Sequence, residues 1–146
     1  MKTWEQIINK AFQKAEAKGY ENIFWAIDLH ETIFQGDYVP GSPGTIFHND
    51  MIDAMQLINE LSGIIILWTS SRGSTIYKAM QRLRSMDITV HFQNDNPKVH
   101  PDSLCSFYPK FYFDILLDDK AGFDMQTDWT EIKNILLTIK EKKENK

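Results

Sequence analysis

Apolar residues recur along this chain in two periods, and the change from one to the other lays out its elements. Trp4, Ile7, Ile8, Ala11, Phe12 and Ala15 are spaced by three and four, which predicts an amphipathic helix ending at Gly19. Ile23-Phe24-Trp25-Ala26-Ile27 is a nearly continuous apolar run, too short for a helix and suited to a strand buried on both faces. The segment QGDYVPGSPG from Gln35 to Gly44 is dense in Gly and Pro and reads as a loop. Met51, Ala54, Met55, Leu57, Ile58 and Leu61 form a second helical stripe. Gly63 separates it from Ile64-Ile65-Ile66-Leu67-Trp68, whose β-branched content makes the strongest strand signal. Over 74–85, Ile76, Ala79, Met80 and Leu83 take one side of a helix and Lys78, Arg82 and Arg84 the other. Strands are predicted at 88–92 and 112–117 and a last helix near 127–142, while Asn94 to Pro109, interrupted by Pro97 and Pro101, reads as irregular.

Strands alternating with helices predict an α/β fold. The expectation is a three-layer α/β/α sandwich with a mainly parallel, Rossmann-like sheet, in one domain spanning 1–146. With 42% hydrophobic and 25% charged residues the composition is that of a globular protein rather than a disordered chain. The net charge of -4 supplies no global pull toward nucleic acid or an anionic membrane, and any such contact would need a local basic patch. Cys105 is the single cysteine, so an intramolecular disulfide is excluded. The first residues mix charge with apolar positions and lack a continuous apolar stretch, which makes the cytoplasm the expected location and a membrane role unexpected. His48, His91 and His100 lack close ligand spacing, which argues against zinc.

The chemistry lies at the strand ends. Asp28, Thr69 and Asp118-Asp119 each follow directly on an apolar run. One strand ending in Asp is commonplace, because Asp starts turns and caps helices. Two strands ending in carboxylates and one in a hydroxyl, all at the same edge of a parallel sheet, point instead to a shared site.

Asp28-Leu29-His30-Glu31-Thr32, Thr69, Lys110 and Asp118-Asp119 resemble, in order, the four motifs of the haloacid dehalogenase superfamily of phosphohydrolases. The segments LWTSSRG at 67–73, NDNP at 94–97 and KFYFDILLDDKAGF at 110–123 are similar to its small, capless members. The resemblance implies a magnesium-dependent phosphomonoesterase without a sizeable cap. In it Asp28 is the nucleophile that forms an aspartyl phosphate, and Thr69, Ser70 and Lys110 bind the phosphoryl group. Mg²⁺ is held by Asp28, Asp118, Asp119 and the backbone carbonyl of His30. The family usually has a second Asp two residues after the nucleophile, where this chain has His30; an imidazole can serve there as general acid and base.

An open, capless site admits a phosphorylated small molecule or nucleotide as substrate, and a neighbouring copy of the chain could cover it. Two other readings follow from particular residues. His30 motivates a weak or inactive relative acting as a binding module. Arg72, Lys78, Arg82 and Arg84 motivate a phosphatase acting on polynucleotide ends. Lys78 also competes with Lys110 for the phosphate, and Asp124 is open to a metal-supporting or a capping role.

Overall fold

The structure, a computed structural model, describes residues 3–46, 48–71, 73–99 and 111–145. Helix α1 (Trp4–Lys18) starts from a capping box. Thr3 Oγ1 accepts from the Gln6 backbone N–H and Gln6 Oε1 from that of Thr3, and Gly19 ends the helix at φ 68°. Strand β1 (Ile23–Asp28) occupies the first apolar run. The loop that follows is pinned at its ends by two short antiparallel strands, β2 (Phe34–Gln35) and β3 (Thr45–Ile46), which make it a flap. Helix α2 (Asn49–Glu60), strand β4 (Gly63–Trp68) and helix α3 (Ser74–Ser85) follow. Strand β5 (Phe92–Gln93), strand β6 (Ile115–Leu117) and helix α4 (Asp128–Glu144) complete the order.

The four-stranded sheet is parallel throughout, in the order β5-β4-β1-β6. Chain order therefore runs outward from β1 to β5 and then jumps back across β1 to β6. Register brings Ile65 and Ile115 to either side of Trp25, and Leu67 and Leu117 to either side of Ile27. These alternate residues make one face, and buried side chains from all four helices join them in one core, among them Ile8, Met55, Leu83 and Trp129. Same-handed crossovers place α2 and α3 on that common side. The opposite face carries Ala26, Ile64 and Ile66. Among the described residues it is met by Phe111, Phe113 and other aromatics rather than by a helix. The parallel, Rossmann-like α/β expectation thus holds, while the helical layer lies on one face of the described structure.

Two predicted strands are shorter than the apolar runs that announced them. Residues 88–91 follow the edge of β4 only in part: the His91 N–H donates to the Ile65 carbonyl (2.9 Å) and His91 Nδ1 accepts from the Ile65 N–H (3.1 Å), while Asn59 of α2 brackets Thr89 with two hydrogen bonds (2.8 and 3.0 Å). Only Phe92 and Gln93 join the ladder. Before β6, Asp114 replaces part of the ladder with its carboxylate, which accepts the Phe24 N–H at 2.8 Å.

The flap rests on α3. Arg82 Nη1 donates to the Gly44 carbonyl, and its guanidinium lies 5.3 Å from the centre of the Phe34 ring. Gly44 has φ 102°, and a Cβ there would stand 2.1 Å from the Gln35 carbonyl oxygen. Gly44→Ala is therefore expected to cost roughly 1–3 kcal/mol, read as a lower denaturation midpoint. An unchanged midpoint would show that the hairpin contributes nothing to stability.

Candidate active site

Parallel strands align their carboxyl ends, and a change of direction in strand order opens a crevice there. Here the reversal falls between β1 and β6, which end in Asp28 and lead into Asp118. After Asp28 the chain folds into a tight turn. The N–H groups of Ile33 and Phe34 both donate to the Leu29 carbonyl, with Glu31 at φ 59°. The turn buries Thr32 completely. Its hydroxyl donates to Asp28 Oδ2 (3.3 Å) and accepts from the Asp119 N–H (3.2 Å), while its carbonyl accepts the Trp129 indole N–H (2.7 Å). One buried threonine thus ties together the ends of β1 and β6 and the first turns of α4. After β6, Asp118 Oδ1 accepts from the Lys120 N–H (2.9 Å), closing the 3-10 turn Asp119–Ala121.

Carboxylate oxygens of Asp28, Asp118 and Asp119 lie within 4.8 Å of one another. Burial, then a hydrogen bond with Asp119 and the charge of Asp118, push the Asp28 carboxyl up to about 7. The ion pairs formed by His48, Lys133 and Lys140 lie elsewhere. The cluster thus gathers negative charge that a proton partly relieves. A hard divalent cation would relieve it fully, and a set of carboxylate oxygens fits Mg²⁺ by donor chemistry.

Across the crevice, β4 ends beside Thr69. Asn94, just beyond β5, grips the Thr69 backbone from both sides: Oδ1 accepts its N–H (2.9 Å) and Nδ2 donates to its carbonyl (2.7 Å). Thr69 Oγ1 accepts from the Ser71 N–H (3.0 Å), which leaves its own proton to be donated to a further acceptor. Ser71 Oγ lies 3.3 Å from His30 Nδ1, which links the turn after β1 to the loop after β4. Ser70 is exposed on the same loop.

The structure therefore brings together Asp28, Asp118 and Asp119 as one cluster, with His30 joined to the Thr69 loop. Lys110 and Arg72 lie outside the described residues, as do Cys105 and His100. Lys78 sits on the exposed side of α3 near the flap at Gly41, and Arg82 fastens that flap. Asp124 caps the approach to α4 by accepting from the Gln126 N–H (2.9 Å). The sequence motifs that contain Thr32, Ser71 and Asn94 assign none of the three a partner. For Asn94 a signal existed, since an Asn just beyond the end of a strand is enriched in the left-handed conformation, here φ 51°.

Among the described residues, no helix is long and apolar enough to cross a membrane. No protein-family model matches the chain, and no curated protein matches it significantly. A solved structure of a conserved protein from Bacteroides thetaiotaomicron is similar, with a TM-score of 0.60 and 23% identity, over 83% of this chain and 92% of that one. A likeness at that identity speaks to architecture: the chain has a Rossmann-like α/β fold, a parallel four-stranded sheet flanked by helices.

Proposed function

We propose that this protein is a magnesium-dependent phosphomonoesterase of the haloacid dehalogenase type, acting through an aspartyl phosphate on Asp28. The observation that supports it best is the convergence of the Asp28, Asp118 and Asp119 carboxylates within 4.8 Å at the strand-order reversal. A carboxylate meeting a phosphate at ~4 Å costs about 4 kcal/mol per unit-charge pair at an effective dielectric of ~20. Asp28, Asp118 and Asp119, with the His30 carbonyl, would hold Mg²⁺, which when bound supplies the positive charge that offsets this repulsion.

Asp28 attacks phosphorus, a new O–P bond forms, and the bond to the leaving oxygen breaks. Ser71 occupies Nδ1 of His30, so Nε2 is the nitrogen that delivers a proton to the departing alkoxide. Neutral His30 then takes a proton from water as that water attacks the phosphorus of the aspartyl phosphate. Inorganic phosphate leaves and Asp28 is restored. Thr69, its backbone held by Asn94, donates its hydroxyl to a phosphoryl oxygen, and the family resemblance assigns the Ser70 hydroxyl and Lys110 to the same group.

Hydrolysis of an aryl phosphate with and without Mg²⁺ tests the reading. His30→Asp is expected to keep kcat within about tenfold of the wild type or to raise it, since a carboxyl group can do the same proton transfer. A collapse of kcat in this variant would show that the imidazole and its Ser71 contact are specifically required. A second reading is a phosphate-binding module that no longer turns over, and it draws on the same His30. Mg²⁺-dependent phosphate binding without hydrolysis of any phosphomonoester would favour it.

A further inference from the structure

Beside the site, between α3 and the edge strand β5, lies a cavity of about 540 Å³, a volume typical of small-molecule pockets. Its lining joins the apolar Ile76 and Met80 to the aromatic Tyr77 and the polar Gln81, Arg84 and Gln93. Ser71 also lines it, the same residue whose hydroxyl contacts His30. The cavity therefore adjoins the group that protonates the leaving oxygen.

Its chemistry is that of a planar, hydrogen-bonding ring. Tyr77 is 64% exposed, so its ring is open to a stacking partner. Gln81 Nε2 donates to the Tyr77 hydroxyl (2.9 Å), which holds the ring in place. The carboxamides of Gln81 and Gln93 each set a donor beside an acceptor, the complement of a base edge, and the Arg84 guanidinium offers paired donors to a base carbonyl. A bare sugar would leave the aromatic and apolar surface unused, and an alkyl chain would leave the amides unpaired. We propose that this cavity receives the nucleobase of a nucleoside phosphomonoester whose phosphate lies at Asp28. The proposal rests on the phosphatase reading above and names its substrate class.

The test compares adenosine, guanosine and cytidine 5′-monophosphates, ribose 5-phosphate and a 5′-phosphorylated trinucleotide as substrates with Mg²⁺. At least one base-bearing substrate is expected to exceed ribose 5-phosphate in kcat/KM by about tenfold or more, within the range that one stacked base contributes. Tyr77→Ala is expected to bring that ratio close to one, mainly through KM, and Tyr77→Phe to retain it. Preference for the mononucleotide or for the trinucleotide supports the cavity equally and tells the free nucleotide from a strand end. A ratio near one in the wild type, or one that Tyr77→Ala leaves intact, overturns the proposal. Calorimetric binding of the same compounds to Asp28→Asn gives the same ratio without turnover. If no compound is hydrolysed, the phosphatase reading fails, and the affinity ratio still decides the cavity.

Discussion

Asp28→Asn is expected to lower phosphomonoester turnover at least about a thousandfold while leaving affinity for a phosphate ligand within severalfold. The amide has the shape of the carboxylate, and its oxygen can still accept the Thr32 hydroxyl that now reaches Asp28 Oδ2 at 3.3 Å. Thr32 would keep its bonds to the Asp119 N–H and the Trp129 indole, so the turn and the loop after β6 stay in place. Nucleophilicity is removed, because the neutral amide cannot form the acyl phosphate, and one charged metal ligand is lost while Asp118 and Asp119 remain at the site. The Thr69 loop, held by Asn94 from β5, is untouched. The measurement is steady-state kinetics on an aryl phosphate beside phosphate binding by calorimetry. Full activity in the variant would remove Asp28 from the chemistry. Equal losses of affinity and turnover would recast it as a binding residue.

That such a specific substitution can be named reflects how directly the sheet is written in the sequence. The runs at 23–27 and 64–68 become adjacent buried strands because their apolar residues serve both faces, and a parallel pair must be covered on both. Their ends then lie together by geometry, so Asp28 and Thr69 could be placed at one edge without knowing any contact. Other features depend on partners distant in sequence. Thr32 and Asp119 are 87 residues apart, and no local pattern announces that one hydroxyl will join them. Asn94 has the same character, since its side chain acts on Thr69 across a strand boundary. Strand lengths were legible only where ladder bonds continue. At 88–91 and at Asp114 the side chains of Asn59, His91 and Asp114 take over bonds that a ladder would make, and a hydrophobic pattern carries no trace of that exchange. The basic residues of α3 show the converse. Their spacing reads as one cationic face, but Arg82 is committed to Gly44 and Phe34 of the flap.

Removing the divalent cation is expected to lower turnover at least about a hundredfold and, separately, to make stability depend on pH in a particular direction. Without metal, the Asp28 carboxyl sits at about 7 through burial, its bond with Asp119 and the charge of Asp118, against an ordinary 3.8. Between pH of about 4 and about 7 the unfolded chain has released this proton while the folded chain still holds it. The folded state binds more protons, so the stability of the metal-free protein falls as pH rises across that window and levels off above it. The full shift corresponds to about 4 kcal/mol, but Asp28 is only half-buried, and solvent screening reduces the expected loss to roughly 1–2 kcal/mol. Asp50, held low by Thr130 and Lys133, slopes the opposite way at lower pH, so the comparison must be with Asp28→Asn, which keeps Asp50 and removes the Asp28 contribution. Mg²⁺ selects the ionised carboxylates. Its stabilisation should therefore grow from pH 5 to pH 8 in the wild type and be much smaller in Asp28→Asn. Urea denaturation at several pH values, with Mg²⁺ and with a chelator, measures all four states. A metal-free wild type that gains stability toward pH 7 relative to Asp28→Asn would show that the three carboxylates do not act as one site.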